Sequence, residues 1–263
     1  MLGAIIGDIV GSPYEFESDK TKDFMLFSPH CRPTDDSIMT IAVGCACVEA
    51  DCCDEDEFKR ILVEKMRELG RLYRGAGYGG MFYRWLISDH MQAYNSFGNG
   101  SAMRVSPAAY AVDTLEEVER LARWSAEVTH NHSEGIKGAQ AVAGAIFLAR
   151  NGATKEEIKE YVEKNYYDLD FTLDEIRPGY SFDVTCQGSV PQAIECFIEA
   201  EDYEDAIRNA VSLGGDADTQ AAMAGAIAEA FFGIPDEIQE EGLSYLDDTL
   251  QEYYWEYADQ LYK

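Results

Sequence analysis

Apolar residues recur three and four positions apart through most of the chain, as in Leu115, Val118, Leu121 and Ala122 of TLEEVERLARWSAEV, with acidic residues between them. That period is near 3.6, the signature of amphipathic helices. The same pattern predicts further helices over 36–50, 55–73, 80–93, 104–112, 134–151, 154–165, 189–200, 203–213, 217–232, 235–241 and 243–260. No run alternates with period 2 over enough residues to predict a strand ladder, so the expected fold class is all-α. Local signals agree: Thr154 with Glu157 three residues on is a capping-box pattern, and Asn151-Gly152 closes the preceding helix. Segments 138–149 and 217–232 are rich in Ala and Gly, which lets neighbouring backbones approach closely and suits helices at the centre of a bundle. Only 166–188 is a long polar interruption, and no linker or internal repeat divides the chain. The expectation is a compact single-domain helical bundle over 1–263.

Composition narrows the functional classes. The 263 residues carry 21 Lys and Arg against 49 Asp and Glu, a formal charge of −28. Such a surface repels phosphate backbones, so duplex nucleic acid is not an expected partner. A hydrophobic content of 46% supplies enough apolar surface for a folded core despite the charge. Seven cysteines make an odd count, and Cys45, Cys47, Cys52 and Cys53 do not match the paired CxxC spacing of zinc sites. They read as small core thiols. The apolar start, MLGAIIGDIVG, has no basic flank, contains Asp8 and is too short to span a bilayer. The expectation is a cytoplasmic protein with no membrane partner.

The candidate chemistry lies where helices begin. Pro33-Thr34-Asp35-Asp36-Ser37 precedes the apolar run IMTIAVG, placing Thr34 near an N-cap and two acids in the first turn. Alone, this is a well-capped helix favoured by its dipole. Gly214-Gly215-Asp216-Ala217-Asp218-Thr219 repeats the theme before the Ala-rich segment, with more acids than capping requires. If the two helix starts meet, Asp35, Asp36, Asp216 and Asp218 form a carboxylate cluster that is costly to bury without cations. Oxygen ligands from Asp and Thr suit a one- or two-ion Mg²⁺ centre, with Mn²⁺ possible, rather than zinc. Asp247-Asp248-Thr249 imitates the motif without its glycines and reads as a solvated helix face.

Four further elements stand beside these. Gly3, Gly7 and Gly11 are spaced by four, with Asp8 among them and Glu15 after the exit; they either pack a helix or bring Glu15 to the mouth of a site. The Gly-rich run from Ser96 to Arg104 is either an ordinary turn or a nest of backbone N–H groups that holds an anion such as pyrophosphate. His130 and His132 stand two apart before a helix, as partners for a ligand hydroxyl or base, as metal ligands or as a local cap. The aromatic carboxyl end, including Tyr254, Trp255 and Tyr257, reads as helix packing or a partner surface.

In this order the motifs resemble the ADP-ribosylglycohydrolase family, which includes dinitrogenase-reductase-activating glycohydrolase and the ADP-ribosyl-arginine and ADP-ribosyl-serine hydrolases. The resemblance rests on Gly7-Asp8, Gly11 and Glu15, on Thr34-Asp35-Asp36, on Gly98 to Arg104, on Thr129 to Ala141, and on Gly214 to Thr219. It implies an all-α fold and a hydrolase that frees ADP-ribose from a modified protein or a small-molecule conjugate. It implies a binuclear Mg²⁺ or Mn²⁺ site from Thr34, Asp35, Asp36, Asp216, Asp218 and Thr219. It also implies a catalytic set of Glu15, Asp35, Asp36 and Asp216, with Glu15 on a mobile segment near the scissile ribose. Substrate contacts are implied for Gly98, Asn99, Gly100, Ser101, Met103 and His130, the loop from Gly98 to Ser101 holding the diphosphate. The chain departs from the family in being shorter than the animal hydrolases and in having Ser133 where many bacterial relatives have proline. Segments 77–95 and 166–188 lie outside the shared motifs and are expected to set linkage specificity.

A glycosidic bond at ribose C1″ breaks through an oxocarbenium-like state, so the site must position water and manage charge on the leaving atom. One of the acids or Glu15 is the expected proton shuttle. The alternative is an inert ADP-ribose-binding or crystallin-like structural member of the same fold, against which the intact acid set argues.

Overall fold

Leu2–Gly11 is apolar on every face except at Asp8, and such a segment is stable only where protein surrounds it. In the computed structural model, which describes residues 1–16 and 20–262, this segment is helix α1 and all ten of its residues are buried. The other helices are α2 (Asp35–Glu49), α3 (Glu55–Leu72), α4 (Gly80–Ile87), α5 (Gly100–Met103), α6 (Leu115–Glu127), α7 (Ser133–Arg150), α8 (Lys155–Asn165), α9 (Leu173–Ile176), α10 (Cys186–Ile198), α11 (Tyr203–Leu213), α12 (Ala217–Phe232), α13 (Asp236–Ser244) and α14 (Asp248–Leu261). Short 3₁₀ turns cover Ser12–Tyr14 and Ser106–Ala109. The fold is all-α; among the described residues the β-pairing is an isolated bridge between Gly98 and Thr185.

The Ala-rich α12 sits at the centre, packed by α1, α7, α10 and α11. Its contact with α1 is very close because glycines face it. A Cβ on Gly7 would lie 2.1 Å from the Ala221 carbonyl oxygen, and one on Gly11 would lie 2.5 Å from Cα of Asp218. Gly3 and Gly225 oppose each other in the same way, at 2.3 Å from the Gly225 carbonyl oxygen. The glycines spaced by four are therefore packing residues, and the packing also delivers Asp8 to the start of α12. At the carboxyl end, Tyr254 and Tyr257 are buried where α14 packs on α2, while Trp255 is exposed.

Several boundaries differ from the periodicity, each for a local reason. The helix expected over 80–93 stops at Ile87, where the Ser88 hydroxyl accepts from the backbone N–H of His90 and Met91 and replaces helical partners. The helix expected over 104–112 does not form; α5 is a single turn, and Pro107 opens a 3₁₀ turn after it. The segment expected to start at 189 begins three residues earlier, capped by Thr185, with Pro191 inside α10. The helix expected over 235–241 runs on to Ser244 as α13, and the one expected over 243–260 starts only at Asp248, as α14. Asp247 is the N-cap of α14, accepting from Leu250 N–H at 2.9 Å and from the Tyr73 hydroxyl at 2.8 Å; it is exposed, as the solvated reading has it, but it starts the helix instead of lying within it. All seven cysteines are free thiols; five are buried, while Cys52 is half-buried and Cys53 exposed. Among the described residues no helix is long and apolar enough to cross a membrane.

Gly7→Ala tests the α1–α12 contact. The added methyl has only backbone to displace, so unfolding free energy falls by about 3 kcal/mol or more. Gly179→Ala is the control, since nothing lies within 4 Å of its Cβ position; it stays within about 0.5 kcal/mol of the parent. Urea denaturation of both measures the difference, and equal effects would remove the contact from its central place.

Candidate active site

The site begins with Asp8, an acid the apolar pattern of α1 would not tolerate unless its carboxylate were satisfied. It is. Asp8 Oδ2 accepts from the backbone N–H of Thr34 at 2.8 Å and of Ser37 at 3.0 Å, and from the Ser37 hydroxyl; Oδ1 accepts from the Thr34 hydroxyl at 2.6 Å. These bonds fasten the first turn of α2 to α1. Thr34 is the N-cap of α2, accepting from Asp36 N–H at 3.3 Å, and both acids sit in the first turn.

The second helix start arrives through Gly214 and Gly215, with φ of 71° and 81°, a left-handed turn that glycine adopts without strain. Asp216 occupies the N-cap of α12 but makes no side-chain cap bond. Its Oδ2 instead accepts from Asn99 Nδ2 at 2.6 Å, tying the Gly-rich loop to the acids. Asp218 Oδ1 accepts from Thr219 N–H at 2.9 Å, and the Thr219 hydroxyl reaches Asp36 Oδ2 at 3.3 Å. The two helix starts thus meet. Carboxylate oxygens of Asp8, Asp36 and Asp218 all lie within 4.8 Å of one another, as do those of Glu15, Asp216 and Asp218. Asp36 Oδ1 is buried with no hydrogen-bond partner, an acceptor left open among hard oxygen donors.

Asp35, Asp36, Asp216 and Asp218 floor a cleft of about 450 Å³, while Asp8 is fully buried and does not line it. Its walls include Gly98, Asn99, Gly100, Met103, Arg104 and His130, and Gly79, Met81, Tyr94, Phe16, Phe182 and Val184 complete the lining. Glu15, just past the 3₁₀ turn that ends α1, reaches the same cleft. Two sequence candidates turn elsewhere. The Thr34 hydroxyl points at Asp8, and the Ser101 hydroxyl donates to the Gly135 carbonyl at 2.7 Å, holding the loop against the start of α7. The two histidines divide their work: His132 caps α7 by accepting from Glu134 N–H at 3.1 Å, whereas His130 lines the cleft. Motif reasoning gave Asp8 no site role. Its signal was a lone acid in an otherwise apolar helix. Arg104, Tyr94 and Phe182 were likewise unassigned.

Burial dominates the electrostatics. It raises the carboxyl pKa of Asp8 and Asp216, of Asp35 to about 8, and of Asp36 and Asp218 well above the usual range. For Asp36 the next contributions all come from acids, Asp218, Asp8, Asp35 and Asp216, and they push the same way. Glu15, only half-buried, is raised to about 7 by desolvation and then by Asp216, with Arg32 opposing.

The chain as a whole is similar to known proteins. The family model described as ADP-ribosylglycohydrolase matches residues 1–263. The chain is 29% identical to the mouse (Mus musculus) ADP-ribosylhydrolase ARH3, over 89% of this chain and 83% of that one. It is 27% identical to the ADP-ribosylarginine hydrolase Tri1 of Pseudomonas putida, over 89% of this chain and 70% of the relative. A solved structure described as an ADP-ribosylglycohydrolase-related protein complex superposes with a TM-score of 0.71 at 24% identity, covering 99% of this chain and 96% of that chain.

The raised acids make a signed prediction for the metal-free protein. Between roughly pH 4, where free carboxyls ionise, and the folded values of about 7 for Glu15 and about 8 for Asp35, the folded state holds more protons than the unfolded state. Their contribution to stability therefore falls as pH rises through that window. Asp36→Asn removes one such acid. In chelator at pH 8 it is expected to exceed the parent in stability by about 2 kcal/mol, with a clearly smaller gain at pH 5. A gain independent of pH, measured by denaturant titration, would contradict the electrostatic account.

Proposed function

The chain belongs to the ADP-ribosylglycohydrolase family, and on that premise we propose that it hydrolyses the glycosidic bond at ribose C1″ of an ADP-ribosylated acceptor, releasing ADP-ribose. The acceptor is a modified protein side chain or a small-molecule conjugate. The observation that carries the reading is the meeting of the acids at the starts of α2 and α12 with Glu15 in one cleft, with the buried Asp8 of α1 within reach of Asp36 and Asp218. Similarity to proteins named for ADP-ribosyl hydrolysis supports the choice of substrate class.

The donor set fits two Mg²⁺ ions, or Mn²⁺ in their place. Every donor is a hard oxygen, and the open Oδ1 of Asp36 is a buried acceptor that a cation would satisfy. Asp8, Asp36 and Asp218 would hold one ion and Glu15, Asp216 and Asp218 a second, with Asp35 and Thr219 alongside. When bound, such ions neutralise the acids and polarise sugar oxygens as Lewis acids.

The remaining chemistry belongs to the protein's own groups. Glu15, half-buried at the cleft, has a second carboxylate oxygen not spent on an ion, through which it can take a proton from water and give one to the leaving atom. Asn99 holds Asp216 in place through its amide. Gly98 and Gly100 present bare backbone to the cleft, giving a diphosphate room to approach. An inert binding role would need neither Glu15 at the cleft nor an open acceptor among buried acids. Seven free thiols suit the reducing cytoplasm, where we place the protein.

Two measurements test the reading. Mg²⁺ at about a hundredfold excess over its Kd should raise stability by about 2.7 kcal/mol, and Asp218→Asn should abolish that gain; an unchanged Mg²⁺ response would remove Asp218 from the ligand set. Glu15→Gln should lower turnover of an ADP-ribosylated substrate by about 10²-fold while ADP-ribose still binds in calorimetry. Full turnover by that variant would exclude Glu15 as the proton carrier.

A further inference from the structure

Arg104 is fully buried in the wall of the cleft, with its guanidinium against the Phe82 ring. Its Nη2 donates to the Ser125 carbonyl at 3.0 Å and to Thr129 Oγ1 at 2.9 Å. A guanidinium has no acceptor, so Thr129 Oγ1 must be the acceptor of that bond. The one hydroxyl proton of Thr129 then remains to be placed, and the other polar atom bonded to Oγ1 is Nδ1 of His130, at 2.7 Å. If Nδ1 carried a proton, Oγ1 would accept twice, and the buried hydroxyl proton would have no acceptor among the described residues. A buried donor left unsatisfied is costly, so the hydroxyl donates and Nδ1 accepts. The proton of a neutral imidazole then sits on Nε2. An imidazolium would protonate Nδ1 and orphan the same hydroxyl. Burial, and then the charge of Arg104, also hold His130 neutral by lowering its pKa well below the ordinary value.

Nε2 faces the Gly-rich loop. A Cβ on Gly100 would stand 3.1 Å from it and one on Gly98 3.6 Å away, so glycine at both positions leaves that side of the ring clear. The ring is held from another side by Tyr94, with centroids 6.0 Å apart.

We propose that Arg104 and Thr129 are positioning residues that fix His130 as a neutral donor, its Nε2–H presented at the Gly98–Gly100 wall to an acceptor oxygen of the ligand. That oxygen belongs to a phosphate or a ribose hydroxyl. The identity of the ligand rests on the hydrolase reading; the hydrogen-bond relay does not.

The test has two independent parts. In protein carrying ¹⁵N-labelled histidine, two-bond proton–nitrogen correlations report which ring nitrogen is protonated, and His130→Gln assigns the signals. The relay requires His130 protonated on Nε2 in the parent and in Thr129→Ser, and a mixture of tautomers in Thr129→Val, which keeps the shape without the hydroxyl. Protonation on Nδ1 in the parent, or an unchanged tautomer in Thr129→Val, would overturn it. Calorimetry with ADP-ribose then measures the consequence. Thr129→Val is expected to bind about tenfold more weakly, with Thr129→Ser restoring affinity, whereas equal affinity despite a changed tautomer would refute the ligand-facing role. A penalty retained with pyrophosphate assigns the oxygen to phosphate, and one confined to ADP-ribose assigns it to ribose. If the parent binds no ADP-ribose while the tautomer responds as stated, the hydrolase reading fails and the relay stands.

Discussion

Gly7 and Gly11 leave no room for a side chain between α1 and α12, and that contact puts Asp8 beside Asp218 although 210 residues separate them. The acids of α1, α2 and α12 inherit their relative positions from this approach. Asp8 in turn receives the first turn of α2 through Thr34 and Ser37, so Asp35 and Asp36 are placed relative to α12 by way of α1. A larger residue at either glycine would push apart the elements that carry the acids. The site is therefore a property of helix packing, more rigid than a loop-borne site would be.

The same contact works against the electrostatics. Buried carboxylates within a few ångströms of one another repel, and each carries a desolvation penalty that its neighbours increase. The structure offsets part of this with hydrogen bonds from Thr34, Ser37, Asn99 and Thr219. What it leaves is the unpartnered Oδ1 of Asp36. An arrangement that costs stability and is held by glycines, caps and an amide is one in which function has been set against folding.

Much of this was legible in the chain, and the exceptions have physical reasons. The helices were readable because acids and apolar residues alternate with one period over most of the length. Their ends were less so where a side chain substitutes for a backbone partner, as at Ser88, or where a proline breaks a turn, as at Pro107. Asp35, Asp36, Asp216 and Asp218 stood out because two acids at the start of a buried helix exceed what capping needs. Asp8 did not, because its role depends on which helix packs against α1, and periodicity along one helix carries no information about its partner. Thr34 and Ser101 were legible as motif members, but their hydroxyls turn to Asp8 and to Gly135. Direction of a side chain is decided by its neighbours in space.

The cleft divides into parts of different origin. Its floor comes from the paired helix starts and Glu15, and one wall comes from the Gly-rich loop with His130 and Arg104 behind it. The rim is different: Gly79, Met81 and Tyr94 come from 77–95, and Phe182 and Val184 from 166–188, the two stretches outside the shared motifs. Several of these rim groups are exposed and apolar, and Phe16 packs on Phe182 directly after Glu15 in sequence. On the hydrolase reading, the ribose and diphosphate lie against the floor and the loop wall, which leaves the rim to the two ends of the substrate, the adenosine and the acceptor. The rim is thus built from residues that can change without disturbing α1, α2 or α12. A net charge of −28 on the whole chain bears little on what those rim groups recognise, because contacts at an exposed apolar rim are short-range.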